Sequence, residues 1–133
     1  MAAAIADFVP VKSGSGKWKD SRLLKNLELK PSPNILEALG QSKTPGQILV
    51  GFALETESAA TRAREKMIAK HCDLMVVNTP LSNAGQGFGT DQVEAAILNA
   101  GSKTESEQLA LMGKNTLAVH LVRQVAERLR SEK

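Results

Sequence analysis

Three short apolar segments constrain the fold of this chain more than any other feature of its sequence. They span Ala2–Phe8, Gln47–Ala53 and Leu74–Val77. Apolar runs of this length are typical of strands that are buried on both faces of a sheet. Since helical segments of about 10–15 residues alternate with such strands in α/β proteins, we predict an α/β fold. Its sheet should be Rossmann-like, largely parallel and flanked by helices.

The carboxyl ends of these segments lead into polar sequence. Asp7 ends the first segment and Asn78 follows the third. Ligands of open α/β sheets bind beyond the carboxyl ends of the strands, so we predict a ligand site at this edge. A carboxylate such as Asp7 can hold Mg²⁺ there, or it can cap or pair with a neighbouring group, and its position leaves both roles open.

Capping residues mark the starts of two predicted helices. Ser32 or Asn34 starts a short helix, which Gly40 ends. Thr56 or Ser58 starts a longer helix. The sequence therefore places one helix before the second apolar segment and one after it.

The rest of the chain completes a single predicted domain over residues 1–133. An antiparallel flap at about 9–30 should stand off the main sheet. Val93–Leu98 is a fourth predicted strand, with Leu109–Met112 as a possible partner. Leucine and valine at four-residue spacing predict a terminal helix at about 114–130.

Composition excludes several classes of protein. The net charge is +3, but aromatic residues make up only 3% of the chain and tyrosine is absent, so the stacking surfaces of single-strand nucleic-acid binders are missing. No apolar run approaches the roughly 18 residues that cross a bilayer. The start lacks the pattern of a secretory signal, which favours a cytoplasmic location. The single cysteine, Cys72, adjoins an apolar run and is interpreted as a core thiol.

Two lysines form the clearest basic pair. Lys66 and Lys70 lie four residues apart towards the end of the second predicted helix and so share one face. A polyanion such as a triphosphate would relieve the repulsion between their ammonium groups. A solvated helix face explains the same pattern, and both interpretations stay open on spacing alone.

Six segments, in order, resemble one known family. Val50–Thr56 reads VGFALET, close to the family's VGFAAET, and Ala3–Phe8 resembles its AAVADF strand end. The other segments are Lys17–Lys19, Ser32–Leu36, Ala63–Asn78 with its two lysines, and Gly87–Asp91. The series covers about residues 1–98 and resembles the phosphopantothenate–cysteine ligases.

This resemblance implies a reaction of coenzyme A synthesis. The family joins 4′-phosphopantothenate to cysteine. A nucleoside triphosphate, CTP in the bacterial enzymes, activates the pantothenate carboxylate as an acyl nucleotide, which the cysteine amine then attacks. Mg²⁺ accompanies the nucleotide, and FMN belongs only to a decarboxylase that is often fused upstream. The choice between CTP and ATP stays open for this chain.

The resemblance also implies roles for individual residues. Lys17 would act in the chemistry of the nucleotidyl intermediate, and Asp7 would contact the nucleotide or its cation. Three further residues would lie against the nucleotide: Met1, Ala2 and Ala3. The base and sugar would be held by Pro33, Asn34, Ile35, Leu36 and Phe52, and the triphosphate by Lys66 and Lys70.

Departures from the family pattern limit what it implies. Asn34 replaces the usual aspartate, and Asp20 stands where the family has a basic residue. The family's first half, with its glycine-rich nucleotide loop, has no counterpart in the chain. We therefore expect a missing N-terminal half as a partner and a homodimer through the flap. The alternative is a non-catalytic nucleotide-binding or dimerisation module with the same fold.

Overall fold

The structure is a computed structural model of the chain. It describes residues 5–11, 27–56, 58–80, 91–101 and 109–131. Contacts between Cα atoms divide the chain into two units, Met1–Ile35 and Leu36–Lys133. Among the described helices, none is long and apolar enough to cross a membrane.

The first unit contains a two-stranded antiparallel ribbon. Strand β1 (Phe8–Pro10) pairs with β2 (Leu29–Pro31). These strands form the base of the flap predicted at about 9–30, so the predicted antiparallel ribbon is confirmed at its base. Residues 12–26, which include the predicted flap residue Lys17, lie outside the described residues.

The prediction of a strand buried on both faces at Ala2–Phe8 is wrong for its described part. Ile5, Ala6 and Asp7 are irregular and exposed, and strand structure begins only at Phe8. A buried strand needs partners for its N–H and C=O groups on both edges. Among the described strands, only β2 pairs with this segment.

The rest of the chain forms a four-stranded sheet with helices. In chain order the elements are α1 (Ile35–Gln41), β3 (Val50–Leu54), α2 (Ala59–Ala69), β4 (Leu74–Thr79), β5 (Gln92–Asn99), β6 (Ala110–Gly113) and α3 (Lys114–Ser131). The strand order is β3-β4-β5-β6. The predicted α/β class is therefore confirmed, as are the later strands and the terminal helix.

The sheet is mixed, which corrects the expectation of a largely parallel one. Strands β3 and β4 are parallel, with Val50 opposite Leu74, whereas β4 with β5 and β5 with β6 are antiparallel. A parallel return needs a crossover of a dozen or more residues, usually a helix. The sequence between β4 and β5 is polar and has no helical pattern of apolar residues, which fits an antiparallel return.

Helix α2 packs on one face of the sheet and builds the core there. Met67 of α2 is buried with Met75 and Val77 of β4 and Leu98 of β5. Each fully buried side chain of this size contributes about 1.5–3 kcal/mol relative to exposure. The two alanines of α2 that face the sheet, Ala59 and Ala63, are also buried, which lets the helix approach the strands closely.

Helix α3 packs against β5 and β6 on the other face. The Asn99 side chain donates from Nδ2 to Gln124 Oε1 over 3.0 Å and accepts from Arg128 Nη2 over 3.3 Å. Because Asn99 alternates with the core residue Leu98 along β5, it points away from α2. These polar contacts fix α3 on the sheet.

Gly40 does not end α1, as the sequence predicted, but lies buried within it. A Cβ atom at this position would come within 2.0 Å of the Lys70 carbonyl oxygen. The glycine is required by close packing between α1 and the end of α2. Ser32 does not cap α1 either, since its hydroxyl donates to the Ala6 carbonyl oxygen.

The ends of α2 lie close to their predicted positions but use different chemistry. Ser58 occupies the N-cap position, yet it has a φ of 49° and its side chain makes no capping hydrogen bond. At the other end, the N–H of Cys72 donates to Met67 O and that of His71 to Ile68 O. These two bonds form a Schellman motif, with His71 at a left-handed φ of 52°.

Candidate functional site

The carboxyl end of β3 carries a buried acid. The N–H of Glu55 donates to the Asn78 carbonyl oxygen over 3.0 Å, which extends the β3–β4 ladder by one residue beyond Leu54. Gly51 and Ala53 face α2, and alternation along the strand directs Glu55 to the same side. Its side chain is only 6% exposed.

Lys66 of α2 is the partner of this acid. Its Nζ lies 2.5 Å from Glu55 Oε1, and its side chain is 50% exposed to solvent. Side chains on a helix lean towards the helix N-terminus, so the lysine stem can reach back towards the end of β3. The structure thus places the ammonium group of one predicted nucleotide-binding residue at the carboxyl edge of the sheet.

Lys70, the second predicted triphosphate ligand, has a different position. It is the C-cap of α2, and its N–H donates to Lys66 O. Its carbonyl oxygen lies against Gly40, which precedes β3, and four residues later β4 begins. The backbone of Lys70 therefore lies at the amino-terminal end of the two parallel strands, opposite to the end that holds Glu55.

Phe52 and Lys66 approach β3 from opposite faces. Phe52 alternates with the buried Gly51 and Ala53, and its side chain is 60% exposed on the face away from α2. The ammonium group of Lys66 reaches Glu55 on the face that α2 covers. A ligand that contacts both side chains has to lie across the end of β3 rather than on one face of the sheet.

Polar side chains continue from Glu55 across the next two strands. Thr79 of β4 is one residue beyond the Leu54–Asn78 pair and donates from Oγ1 to Glu94 Oε2 over 2.7 Å. Glu55, Thr79 and Glu94 therefore form a row on the α2 face, at the edge where β3 and β4 end. A row of polar side chains beyond buried strands is where α/β sheets bind ligands.

The first unit brings several other predicted residues close together. The N–H of Ser32 donates to the Asp7 carbonyl oxygen over 2.9 Å, so the segment that carries Pro33, Asn34 and Ile35 starts beside Asp7. All four of these predicted residues are exposed. Their side chains are accessible to a ligand.

The remaining predicted residues have no described contact with a ligand site. Leu36 is half-buried, and a Cβ on Gly51 would touch its Cδ2, so it packs against the core. Met1, Ala2, Ala3 and Lys17 lie outside the described residues.

Asp7 fits the role of a single magnesium ligand held together with a phosphate. Mg²⁺ usually binds one or two carboxylates and keeps its other positions for phosphate and water. In the described part of the chain, no three histidine, cysteine or acidic side chains converge as a metal site. A cation at Asp7 would therefore need oxygens from a bound nucleotide.

Cys72 and a groove along α3 are not among the residues that were predicted to contact a ligand. Cys72 is buried in the core, as predicted, and this burial raises the pKa of its thiol against the opposing effect of Lys70. The groove has a volume of about 600 Å³ and runs along α3. It is lined by Ala118, Val119, Val122, Arg123, Ala126, Glu127 and Arg130, none of them a predicted ligand contact.

Comparison with known proteins assigns the chain to a family. The sequence profile described as the DNA/pantothenate metabolism flavoprotein C-terminal domain matches residues 1–129. The chain belongs to this family. A Bacillus subtilis member named coenzyme A biosynthesis bifunctional protein CoaBC is 38% identical over 125 residues, which are 93% of this chain and 30% of that protein.

One further relative supports the assignment, and one solved structure shows the same fold. A cysteine/cysteine sulfinic acid decarboxylase from an unknown prokaryotic organism is 33% identical over 125 residues, 94% of this chain and 34% of its own length. The crystal structure of the C-terminal domain of a CoaBC protein shares the fold, with a TM-score of 0.67 and 24% identity over 97% of this chain and 53% of that one. The chain thus spans about a third of these curated relatives.

This match corrects the family drawn from the motifs. The six motifs resemble the phosphopantothenate–cysteine ligases over about residues 1–98. The family that the sequence profile identifies is the DNA/pantothenate metabolism flavoprotein C-terminal domain, over residues 1–129. Its relatives carry the names of a coenzyme A biosynthesis protein and of a decarboxylase. Membership alone therefore does not specify ligase activity.

Sequence reasoning missed the ion pair of Glu55, which lies in the VGFALET segment of this chain. The signal for it was weak: an acidic residue directly after a buried strand, with a lysine eleven residues later in the following helix. Glu94 and Thr79 were missed too, since neither belongs to a motif and only the antiparallel register brings them together.

Proposed function

We propose that the chain supplies the nucleotide-binding part of a phosphopantothenate–cysteine ligase in coenzyme A synthesis. CTP would activate the carboxylate of 4′-phosphopantothenate, and cysteine would then form the amide. The name of the Bacillus subtilis relative supports a role in coenzyme A biosynthesis. The N-terminal half of the ligase domain would supply the rest of the active site, and the proposed homodimer would form through the flap, in the cytoplasm.

The arrangement at the end of β3 carries this proposal. An exposed aromatic ring, Phe52, stands on one face, and an ammonium group, that of Lys66, is held on the other. An aromatic face stacks on a base, and a fixed cation meets charge on a phosphate. A nucleoside triphosphate is extended enough to lie across the strand end and meet both.

The other proposed contacts follow from position. Asp7, Pro33, Asn34 and Ile35 form one accessible cluster in the first unit, suited to the sugar, the base and a phosphate-bound Mg²⁺. When bound, Mg²⁺ would neutralise phosphate charge. The residues that match the family at Met1, Ala2, Ala3, Lys17 and Leu36 complete the proposed set of nucleotide contacts.

Calorimetry with CTP and with CMP, both in the presence of Mg²⁺, tests the proposal. CTP should bind, and Lys66→Ala should weaken CTP binding more than CMP binding, because its ammonium group would act on phosphates that CMP lacks. Lys70→Ala tests the second proposed triphosphate contact, which its side chain would have to make from a backbone position one helical turn further from Glu55. ATP titrated in parallel decides between the two nucleotides. If neither triphosphate binds the chain, the proposed function is wrong.

A second candidate is a non-catalytic nucleotide-binding or dimerisation module. The observation that favours it is the exposed apolar face of β3, where Phe52 and Leu54 are 60% and 61% exposed and could meet a nucleotide or a second copy of the chain. Adding the complementary half of a relative's C-terminal domain separates the two. Product formation from 4′-phosphopantothenate, cysteine and CTP in that mixture supports the ligase, and nucleotide binding without turnover supports the module.

A further inference from the structure

Glu55 is buried more deeply than any other charged side chain in the described part of the chain. A carboxylate removed from water is strongly destabilising unless a cation and hydrogen bonds compensate for the lost hydration. Lys66 Nζ is that cation, at 2.5 Å. The ion pair therefore restricts the position of the Lys66 ammonium group, since a lysine that moved away would leave the buried carboxylate uncompensated.

Two features hold the carboxylate itself in place. The backbone of Glu55 is hydrogen-bonded to Asn78 as an extension of the parallel ladder, so its side-chain direction is set by the sheet. The buried alanines Ala59 and Ala63 bring α2 close over this end of the sheet. Glu55 thus belongs to the rigid framework, whereas a lysine side chain on its own has four rotatable bonds.

The same pair leaves much of the ammonium group available. A lysine ammonium has three N–H donors and no acceptor. One of the donors is directed at Glu55 Oε1, while half of the Lys66 side chain remains exposed to solvent. The cation is therefore fixed from the protein side and accessible from the solvent side.

We propose that Glu55 is a positioning residue, which orients the ammonium group of Lys66 for contact with the phosphates of a bound nucleotide. This inference rests on the proposed function, because it assigns the cation that Glu55 holds to the triphosphate. It adds a residue that would not touch the nucleotide and would act through Lys66. An anion that binds there meets a lysine already ordered, so less side-chain entropy is lost on binding.

A purely electrostatic role for Glu55 predicts the opposite effect on affinity. A carboxylate next to a phosphate site repels the ligand, so its neutralisation would tighten triphosphate binding. A positioning role predicts weaker binding, because an amide holds the ammonium group less firmly than a carboxylate does. The direction of the change in affinity therefore separates the two roles.

The test compares Glu55→Gln, Lys66→Met and the double variant by calorimetry with Mg²⁺ and either CTP or CMP. We expect Glu55→Gln to raise the Kd for CTP about fivefold, the size expected when one more long side chain has to be immobilised on binding. The Kd for CMP should change less than about twofold on the same scale. In the Lys66→Met background, Glu55→Gln should have no further effect, since Glu55 acts only through that lysine.

Two further variants complete the experiment. Glu127→Gln removes the same charge from an exposed pair with Arg123 on α3 and should leave CTP binding unchanged. Glu55→Asp keeps the charge but withdraws the carboxylate by one methylene group, so it should lose part of the affinity. This variant provides the measurement if Glu55→Gln does not fold, as judged by circular dichroism.

The outcomes distinguish this inference from the proposed function. If Lys66→Met weakens CTP binding but Glu55→Gln leaves it equal or tighter, the positioning role is overturned and the nucleotide site stands. An equal loss from Glu55→Gln with and without Lys66 also overturns it. If the unsubstituted chain binds no CTP, both proposals fail together.

Discussion

The backbone of Gly40 in α1 lies so close to Lys70 at the C-cap of α2 that a Cβ atom on Gly40 would approach the Lys70 carbonyl oxygen to 2.0 Å. The carbonyl carbon of Lys70 and the Cβ of His71 would lie at 2.9 and 3.2 Å. Two of these three atoms are backbone, so the clash cannot be relieved by a side-chain rotation. The contact joins the two helices that flank the start of β3.

Gly40→Ala should therefore be strongly destabilising. Overpacking that forces the backbone to move costs about 3 kcal/mol, at the upper end of the usual range. Urea unfolding followed by circular dichroism measures the loss. The matched control is Gly101→Ala, because a Cβ there would meet no atom within 4 Å. Equal stability of the two variants would contradict the packing described at Gly40.

The carboxyl group of Asp73 should make the stability of the fold depend on pH. Burial alone would raise the pKa of its carboxyl group, but a hydrogen bond from the Leu49 N–H and the ion pair with Lys43 outweigh that effect and lower the pKa. The folded state therefore binds this proton less tightly than the unfolded state. The resulting stabilisation is present above the ordinary aspartate pKa of about 3.9 and is lost as the pH falls through the lower folded pKa.

Asp73→Asn should remove this contribution. We expect a loss of about 2 kcal/mol at pH 7, the value of hydrogen bonds to a charged group, and a smaller decline of stability in acid than in the unsubstituted chain. Thermal unfolding at pH 7 and at about pH 3 measures both effects. Glu127→Gln, in the exposed pair with Arg123, is the control and should change stability by less than about 0.5 kcal/mol. An unchanged acid response in Asp73→Asn would refute the assignment.

His71 offers a stabilising substitution. It occupies the C′ position of the Schellman motif with a φ of 52°, is exposed, and carries a Cβ that is unfavourable in the left-handed region. His71→Gly should raise the free energy of unfolding by about 1 kcal/mol, and His71→Ala should not. Chemical denaturation of the two variants checks this, and a destabilised glycine variant would exclude the strain.

The sequence predicted well those elements that local pattern determines. Strand β5 and helix α3 lie within a few residues of their predicted bounds because apolar spacing marks both. Cys72 was placed in the core for the same reason. Gly40 was misinterpreted as a helix stop, because the contact that requires glycine there comes from Lys70, 30 residues later. No local rule reports a contact at that separation.

The candidate site was less predictable than the fold. The family resemblance identified Lys66 and Phe52 as candidate contacts. That they lie on opposite faces of β3, and that Lys66 pairs with Glu55, depends on how α2 packs over the strand. The antiparallel direction of β5, which brings Glu94 to Thr79, differs from the largely parallel sheet that the strand pattern predicted. Motifs identify residue types at a site, whereas register and helix placement decide which side chains meet.

Phe52 and Leu54 allow a stringent test of the nucleotide site. Both project from the same face of β3, and they are 60% and 61% exposed, so replacing either by alanine should change stability little. If Phe52 stacks on the base, Phe52→Ala should weaken CTP binding about tenfold, within the range for one stacked base. CMP binding should weaken as much, because the base is common to both ligands. Leu54→Ala loses a similar exposed apolar side chain without an aromatic face and should leave both affinities unchanged. Calorimetry on the two variants checks this, and equal losses from both would show that the apolar face, rather than the ring of Phe52, carries the contact.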